Sequence, residues 1–195
     1  MRSPTHLLRY ALPAIALLGL VVASRTFAEP KEGPAAVAEG ESVTSAMRVQ
    51  EMGPLNFFHT TVTMTFEKMD GVAQIIGEME AAIKEKKITA GGTVIFVYQG
   101  AAPDPTKEFE LSIGMHVEAG TEGFDKWKVT ELPSFKAATV MHSGPVKTIS
   151  TAYQKIFPEI FAKGLQPTGE NREFYLYWEG EESANNIMLV QVGVQ

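Results

Sequence analysis

The chain has 195 residues, a net charge of −6 and no cysteine; 45% of its residues are hydrophobic and 21% are charged. That balance is ordinary for a globular protein, and the length suits one domain built from two halves. The absence of a basic cluster beyond Lys84-Glu85-Lys86-Lys87 argues against a nucleic-acid surface, and the missing thiols exclude disulfides, thiol catalysis and thiolate metal sites.

Residues 1–28 read as a secretory signal. Arg2 and Arg9 supply the positive end, and Ala11 to Ala23 is an apolar run too short for a comfortable membrane span. Thr26-Phe27-Ala28 offers small residues at the cleavage-determining positions, so cleavage is expected after Ala28, with Val22-Ala23-Ser24 as a second option and an uncleaved anchor as the rival reading. No cysteine follows the apolar run, which excludes a lipoprotein anchor. Residues 29–50 are rich in Ala, Gly, Glu and Pro and read as a flexible tether. The folded domain is expected over 51–195, in halves of about 51–118 and 126–195.

In the first half, Phe57 to Phe66 alternates as a strand, and Asp70 can cap a helix running to about Lys87. Gly91-Gly92 turns the chain into a strand over Thr93 to Tyr98. A hairpin loop holding Pro103 and Pro105 leads to a last strand, Glu108 to Glu118. In the second half, Lys126 to Leu132 and Phe135 to His142 read as a strand interrupted by Pro133, which cannot donate to a ladder. A helix is expected over Val146 to Lys163, with Pro158 kinking or breaking it. Gly164 ends it, where a left-handed residue costs least. Strands over Phe174 to Trp178 and Ile187 to Val194 close the half.

Shifting the sequence by 77 residues lines the halves up. Val72 meets Ile149, Met79 meets Ile156, Gly92 meets Gly169 and Tyr98 meets Tyr175. The pattern predicts an α+β fold: a duplicated strand-helix-strand-strand unit with an antiparallel sheet and two main helices.

The stretch from His142 to Trp178 carries the functional lead. Its strand alternates Glu173, Tyr175 and Tyr177 on one face with Phe174, Leu176 and Trp178 on the other. The second face is apolar throughout and is expected under the helix. A carboxylate on an otherwise aromatic strand is costly unless it is partnered or lines a cavity, which singles out Glu173. The bland alternative pairs Glu173 with neighbouring Arg172 at the surface.

This stretch resembles the gyrase-inhibitor-like (GyrI-like) small-molecule-binding domain, the effector-binding module of some bacterial multidrug-responsive regulators. The residues that carry the resemblance are His142-x-Gly144-Pro145, a helix with Ala152-Tyr153, Gly164-Leu165-x-Pro167-x-Gly169, and Arg172-Glu173-x-Tyr175. The helical tryptophan common in the family is absent, with Phe157 and Phe161 in its neighbourhood. The resemblance implies halves paired about a pseudo-twofold axis with a groove between them, and Glu173 in a pocket that faces cationic or aromatic compounds. A stand-alone domain without a DNA-binding module is expected.

The expected ligand-binding residues are Glu173, Tyr175, Tyr98, Phe96 and Tyr177. Phe96 is the repeat partner of Glu173, so one wall offers charge and the other a ring. Tyr98 and Tyr175 are expected either to face each other across the groove or to sit half-buried in the core. The resemblance also implies an alternative, a hydrolase of reactive small molecules with Glu173 as base and Tyr175 as proton donor. The second acid often found in the family's final strand is missing from Leu189-Val190-Gln191, which weighs against an enzyme. A third reading is a protein-interaction domain. His59, His116 and His142 fall on separate strands without metal-ligand spacing, so no metal and no cofactor are expected. The expected partner is a small organic ligand, with no nucleic acid and no membrane after signal cleavage, and the expected location is periplasmic or secreted.

Overall fold

The computed structural model describes residues 42–195; the expected signal and most of the expected tether lie outside the described residues. Over the described residues the fold is α+β, with nine strands in one antiparallel sheet and two α-helices. The tether ends earlier than its composition suggests. Val43–Thr44 (β1) and Arg48–Met52 (β2) both pair with Phe135–Ser143 (β7).

Element order repeats along the chain. Leu55–Met64 (β3) leads to helix Val72–Lys86 (α1), Ala90–Gln99 (β4) and Phe109–Val117 (β5). After Lys128–Leu132 (β6), strand β7 leads to helix Ser150–Ala162 (α2), Pro167–Tyr177 (β8) and Ile187–Val194 (β9). The strand order is β1-β7-β9-β8-β4-β5-β3-β6. The two groups therefore meet at the β4–β8 seam, where Phe96 lies opposite Glu173 and Tyr98 opposite Asn171.

The far ends of this path are also tied together. Met52 lies opposite Phe135 and Leu55 opposite Leu132, so β2–β3 and β6–β7 form one antiparallel ribbon. Prolines Pro54 and Pro133 interrupt it at matching points, where a residue without an N–H breaks the ladder at no further cost. Only Pro133 and Ser134 separate β6 from β7, which brings the two ends of the sheet together.

The helices follow from their apolar stripes. Ile149, Ala152, Tyr153, Ile156 and Ile160 are buried against Val190, Val192 and Val194 of β9. Val72, Ile76 and Met79 are buried against Phe96, Leu111, Ile113 and Met115. Asp70 does not cap α1: it lies in the 3-10 turn Phe66–Gly71, and the N-cap is Gly71, with no side-chain bond. Helix α2 runs through Pro158 as one element, preceded by a separate 3-10 turn at Val146–Thr148. Gly164 takes a φ of +72° just past its end, and the Leu165 amide donates back to the Ile160 carbonyl.

Two further expectations are corrected. Strand β8 starts at Pro167, not Phe174, with a register shift between Pro167 and Asn171. The helices also cover the opposite face from the one expected. Tyr175 packs on both helix-side clusters, whereas Phe174 joins Phe57, Ile95 and Val97 on the other side of the sheet. That side is closed by the ribbon: Leu132 packs into the same cluster, and Phe135 lies 3.8 Å from the fully buried Arg172 guanidinium. Both faces of β8 are thus apolar-lined, and alternation alone could not say which one the helix takes.

Candidate functional site

Glu173 sits midway along β8 on the helix-side face, only 1% exposed. It does not pair with Arg172, whose side chain points to the other face and bonds Glu170 Oε1 at 2.6 Å and the Pro133 carbonyl at 3.2 Å. Three phenols hold the Glu173 carboxylate instead. Tyr153 of α2 donates to Oε1 at 2.7 Å, and Tyr98 of β4 and Tyr175 of β8 each donate to Oε2 at 3.0 Å.

Burial raises the proton affinity of Glu173, and the three phenol hydrogen bonds pull it back down. The same burial, reinforced by the glutamate's charge, pushes all three phenols well above their usual range. The tyrosines therefore stay protonated at neutral pH and serve as donors, and the cluster is a carboxylate solvated by hydroxyls in place of water.

The Glu173 carboxyl group lines a cavity of about 280 Å³. Helix α2 contributes Ser150, Tyr153, Phe157 and Phe161, a stripe at helical spacing. Strand β8 contributes Pro167, Gly169, Asn171 and Glu173, alternate residues on one face. The first half supplies Phe66, Tyr98 and the loop Ala101 to Pro103. The walls are aromatic and in mutual contact: Phe66 and Tyr98 ring centres are 6.3 Å apart, and Tyr153 and Phe157 are 6.1 Å apart.

The sequence-derived residues divide into three groups. Glu173 and Tyr98 line the cavity. Tyr175 and Phe96 are not among the lining residues; their rings are 4.9 Å apart, and they support Glu173 from the sheet. Tyr98 and Tyr175 do not face each other across an open groove, because both bind the same carboxylate oxygen. Tyr177 is not brought to the site: it is 42% exposed and donates to Glu179 at 2.8 Å. A register shift between Tyr175 and Tyr177 breaks the alternation that had placed it with Glu173.

Tyr153 was missed because its helical spacing reads as an apolar stripe. The signal was its hydroxyl, which needs a partner when buried. Ser150 and Asn171 were missed as well, although Ser150 lies three residues before Tyr153 and Asn171 shares the strand parity of Glu173. His142 is buried with both ring nitrogens occupied, by Thr44 Oγ1 and Thr148 Oγ1 at 2.9 Å each. Among the described residues, no group of three or more histidines or carboxylates is placed to hold a metal.

A buried carboxyl group ringed by hydroxyls at an aromatic cavity, on an antiparallel sheet with two helices, is the setting of a small-molecule-binding domain. The chain belongs to the GyrI-like small molecule binding domain family, whose model matches residues 46–194. No protein of curated function matches it in sequence. Among solved structures it is similar to the C-terminal domain of EcmrR, with 18% identity over 77% of this chain and 97% of that one and a TM-score of 0.64. An EcmrR chain in a complex with DNA is similar too, at 16% identity and a TM-score of 0.66; 77% of this chain is covered, and it spans 57% of that longer chain. SAV2435 bound to tetraphenylphosphonium shares 13% identity over 77% of this chain and 94% of that one, with a TM-score of 0.57.

Proposed function

We propose that this chain is a periplasmic or secreted binding protein that takes an amphipathic, cationic or aromatic small molecule into the cavity above Glu173. The observation that carries the reading is the full burial of a carboxylate among aromatic rings. An organic cation is drawn there by the charge and by the ring faces together. Three of the carboxylate's roughly four acceptor sites are already taken by phenols. A ligand whose charge is spread over an apolar body suits such a site better than an ammonium that needs several acceptors of its own. The cavity volume lies near the lower end of the roughly 300–1,000 Å³ range of ligand sites, which favours a compact ring system. SAV2435, a protein of similar fold, was solved with tetraphenylphosphonium bound.

The test is calorimetric titration of the protein with tetraphenylphosphonium and with neutral triphenylphosphine oxide. Glu173→Gln is expected to weaken the cation about tenfold or more and to leave the neutral compound little changed. Equal affinities of the wild type and the variant for the cation would sink the assignment. The proposed location has its own test: protein recovered from the periplasm should begin at Glu29. Material retaining the apolar run would favour the anchor.

A hydrolase reading rests on the same atoms, because Glu173 and Tyr175 are in direct contact. It would require Glu173 to take a proton from water as that water attacks a reactive ligand, and Tyr175 to protonate the leaving atom; Tyr175 does not line the cavity, which weighs against it. Turnover lost in both Glu173→Gln and Tyr175→Phe would establish it, and binding without product would reject it for the compound tested.

A further inference from the structure

The cavity holds polar groups that the carboxylate cluster does not use. Asn171 is half-buried and faces the cavity two residues before Glu173, which places it one strand repeat, roughly 7 Å, nearer the chain turn at Gln166. Its amide makes no hydrogen bond to the protein among the described residues, although its backbone neighbours Tyr98 and Val192 are in register. Exposure rises along this wall, from buried Ser150 and Glu173 through half-buried Asn171 to exposed Gln166. An asparagine amide brings two donors and an acceptor with two lone pairs. A purely hydrocarbon ligand that covered it would strip its water and give nothing back.

We propose that Asn171 is a specificity-determining residue: the cavity selects ligands that carry an uncharged hydrogen-bonding group, such as a carboxamide or ketone, about one strand repeat from the aromatic or cationic centre held over Glu173. This proposal rests on the ligand-binding reading given above and narrows it from lipophilic compounds in general to those with one neutral polar arm. The lone amide supplies both the acceptor and the donor that a carboxamide needs, so a carboxamide gains most and an ester or ketone gains the donor half.

The test compares two probes on the protein, tetraphenylphosphonium and its analogue bearing one para-carboxamide. The wild type is expected to bind the carboxamide about five- to a hundredfold more tightly than the parent. Asn171→Val, which suits a strand, and Asn171→Ala are both expected to abolish that preference, read in each protein as the ratio of its affinities for the two probes. Thermal melts of both variants without ligand establish that they fold, and either folded variant suffices for the comparison. If both probes bind the wild type equally, or if the preference survives in either folded variant, the role of Asn171 is overturned while the ligand-binding reading stands. If neither probe binds the wild type, the ligand-binding reading falls and this proposal falls with it.

Discussion

Tyr153 and Glu173 lie 20 residues apart and join helix α2 to the strand beneath it by a 2.7 Å hydrogen bond. The bond ties the helix that forms one wall of the cavity to a residue of the facing strand that also lines it. Position and charge are therefore coupled: whatever displaces α2 also strips a donor from the carboxylate.

Tyr153→Phe keeps the ring and removes that donor. Because a hydrogen bond to a buried charge is at stake, the variant is expected to lose about 1.5–3 kcal/mol of stability. Urea unfolding at neutral pH measures it. A loss below about half a kcal/mol would mean that Tyr98 and Tyr175 satisfy Glu173 without help.

Glu173 should also shape the pH dependence of stability. Its folded proton affinity is raised above the ordinary carboxyl value of 4.5, with burial as the main cause. The folded chain then holds that proton more tightly than the unfolded one. The group's contribution is fully present below pH 4.5 and is lost as pH rises through the folded value. Glu173→Gln removes this slope, so the variant should match or exceed the wild type at neutral pH and lose that advantage on acidification. Parallel stability curves for the two proteins would show that Glu173 does not titrate abnormally.

His142 acts in the opposite sense. Burial lowers its proton affinity from 6.5 to about 4, so the unfolded chain takes up the proton first. The stabilisation is complete above pH 6.5 and is lost as pH falls toward 4, by up to about 3 kcal/mol. His142→Gln, which can still reach Thr44 and Thr148, is expected to lose less stability than the wild type over that interval. Chemical denaturation at pH 7.5 and pH 4.5 gives the comparison.

Gly114 lies on β5 where β3 passes closely. A Cβ there would sit 2.6 Å from the Phe57 ring and 2.7 Å from His59 Cβ, with the Phe58 carbonyl nearer still. The backbone contact leaves no side chain free to yield. Gly114→Ala is expected to cost several kcal/mol and to appear mainly in the insoluble fraction. A soluble variant with a melting temperature near that of the wild type would contradict the packing of β3 on β5.

Much of this could be read in the residues. The strand-helix-strand-strand order, the 3.6-residue stripes of both helices and the isolation of Glu173 on an aromatic strand all follow from pattern and polarity. What escaped has identifiable physical causes. The faces of β8 were exchanged because Phe174 and Tyr175 both pack into clusters, on opposite sides of the sheet, and period-two alternation is silent about which side a helix occupies. Tyr177 was grouped with Glu173 because a register shift leaves no mark in the alternation. Tyr153 was absorbed into an apolar stripe because a buried phenol is apolar everywhere except at one atom. The strands β1 and β2 were hidden because exposed residues such as Arg48, Gln50 and Glu51 dominate β2, and their pairing depends on a partner some ninety positions away. Pro158 does not break α2, since the packed face of the helix outweighs the loss of one backbone bond.

The ribbon formed by β2–β3 with β6–β7 has a kinetic consequence. Arg48 meets Thr139 and His59 meets Lys128, so these pairings close loops of dozens of residues and are entropically expensive to nucleate. Both helical units can collapse on local contacts before the ribbon and the β4–β8 seam close, so these long-range pairings are expected late in folding. A chain caught before that step presents the same unpaired edges to another copy, and refolding at high protein concentration is where intertwined dimers would arise.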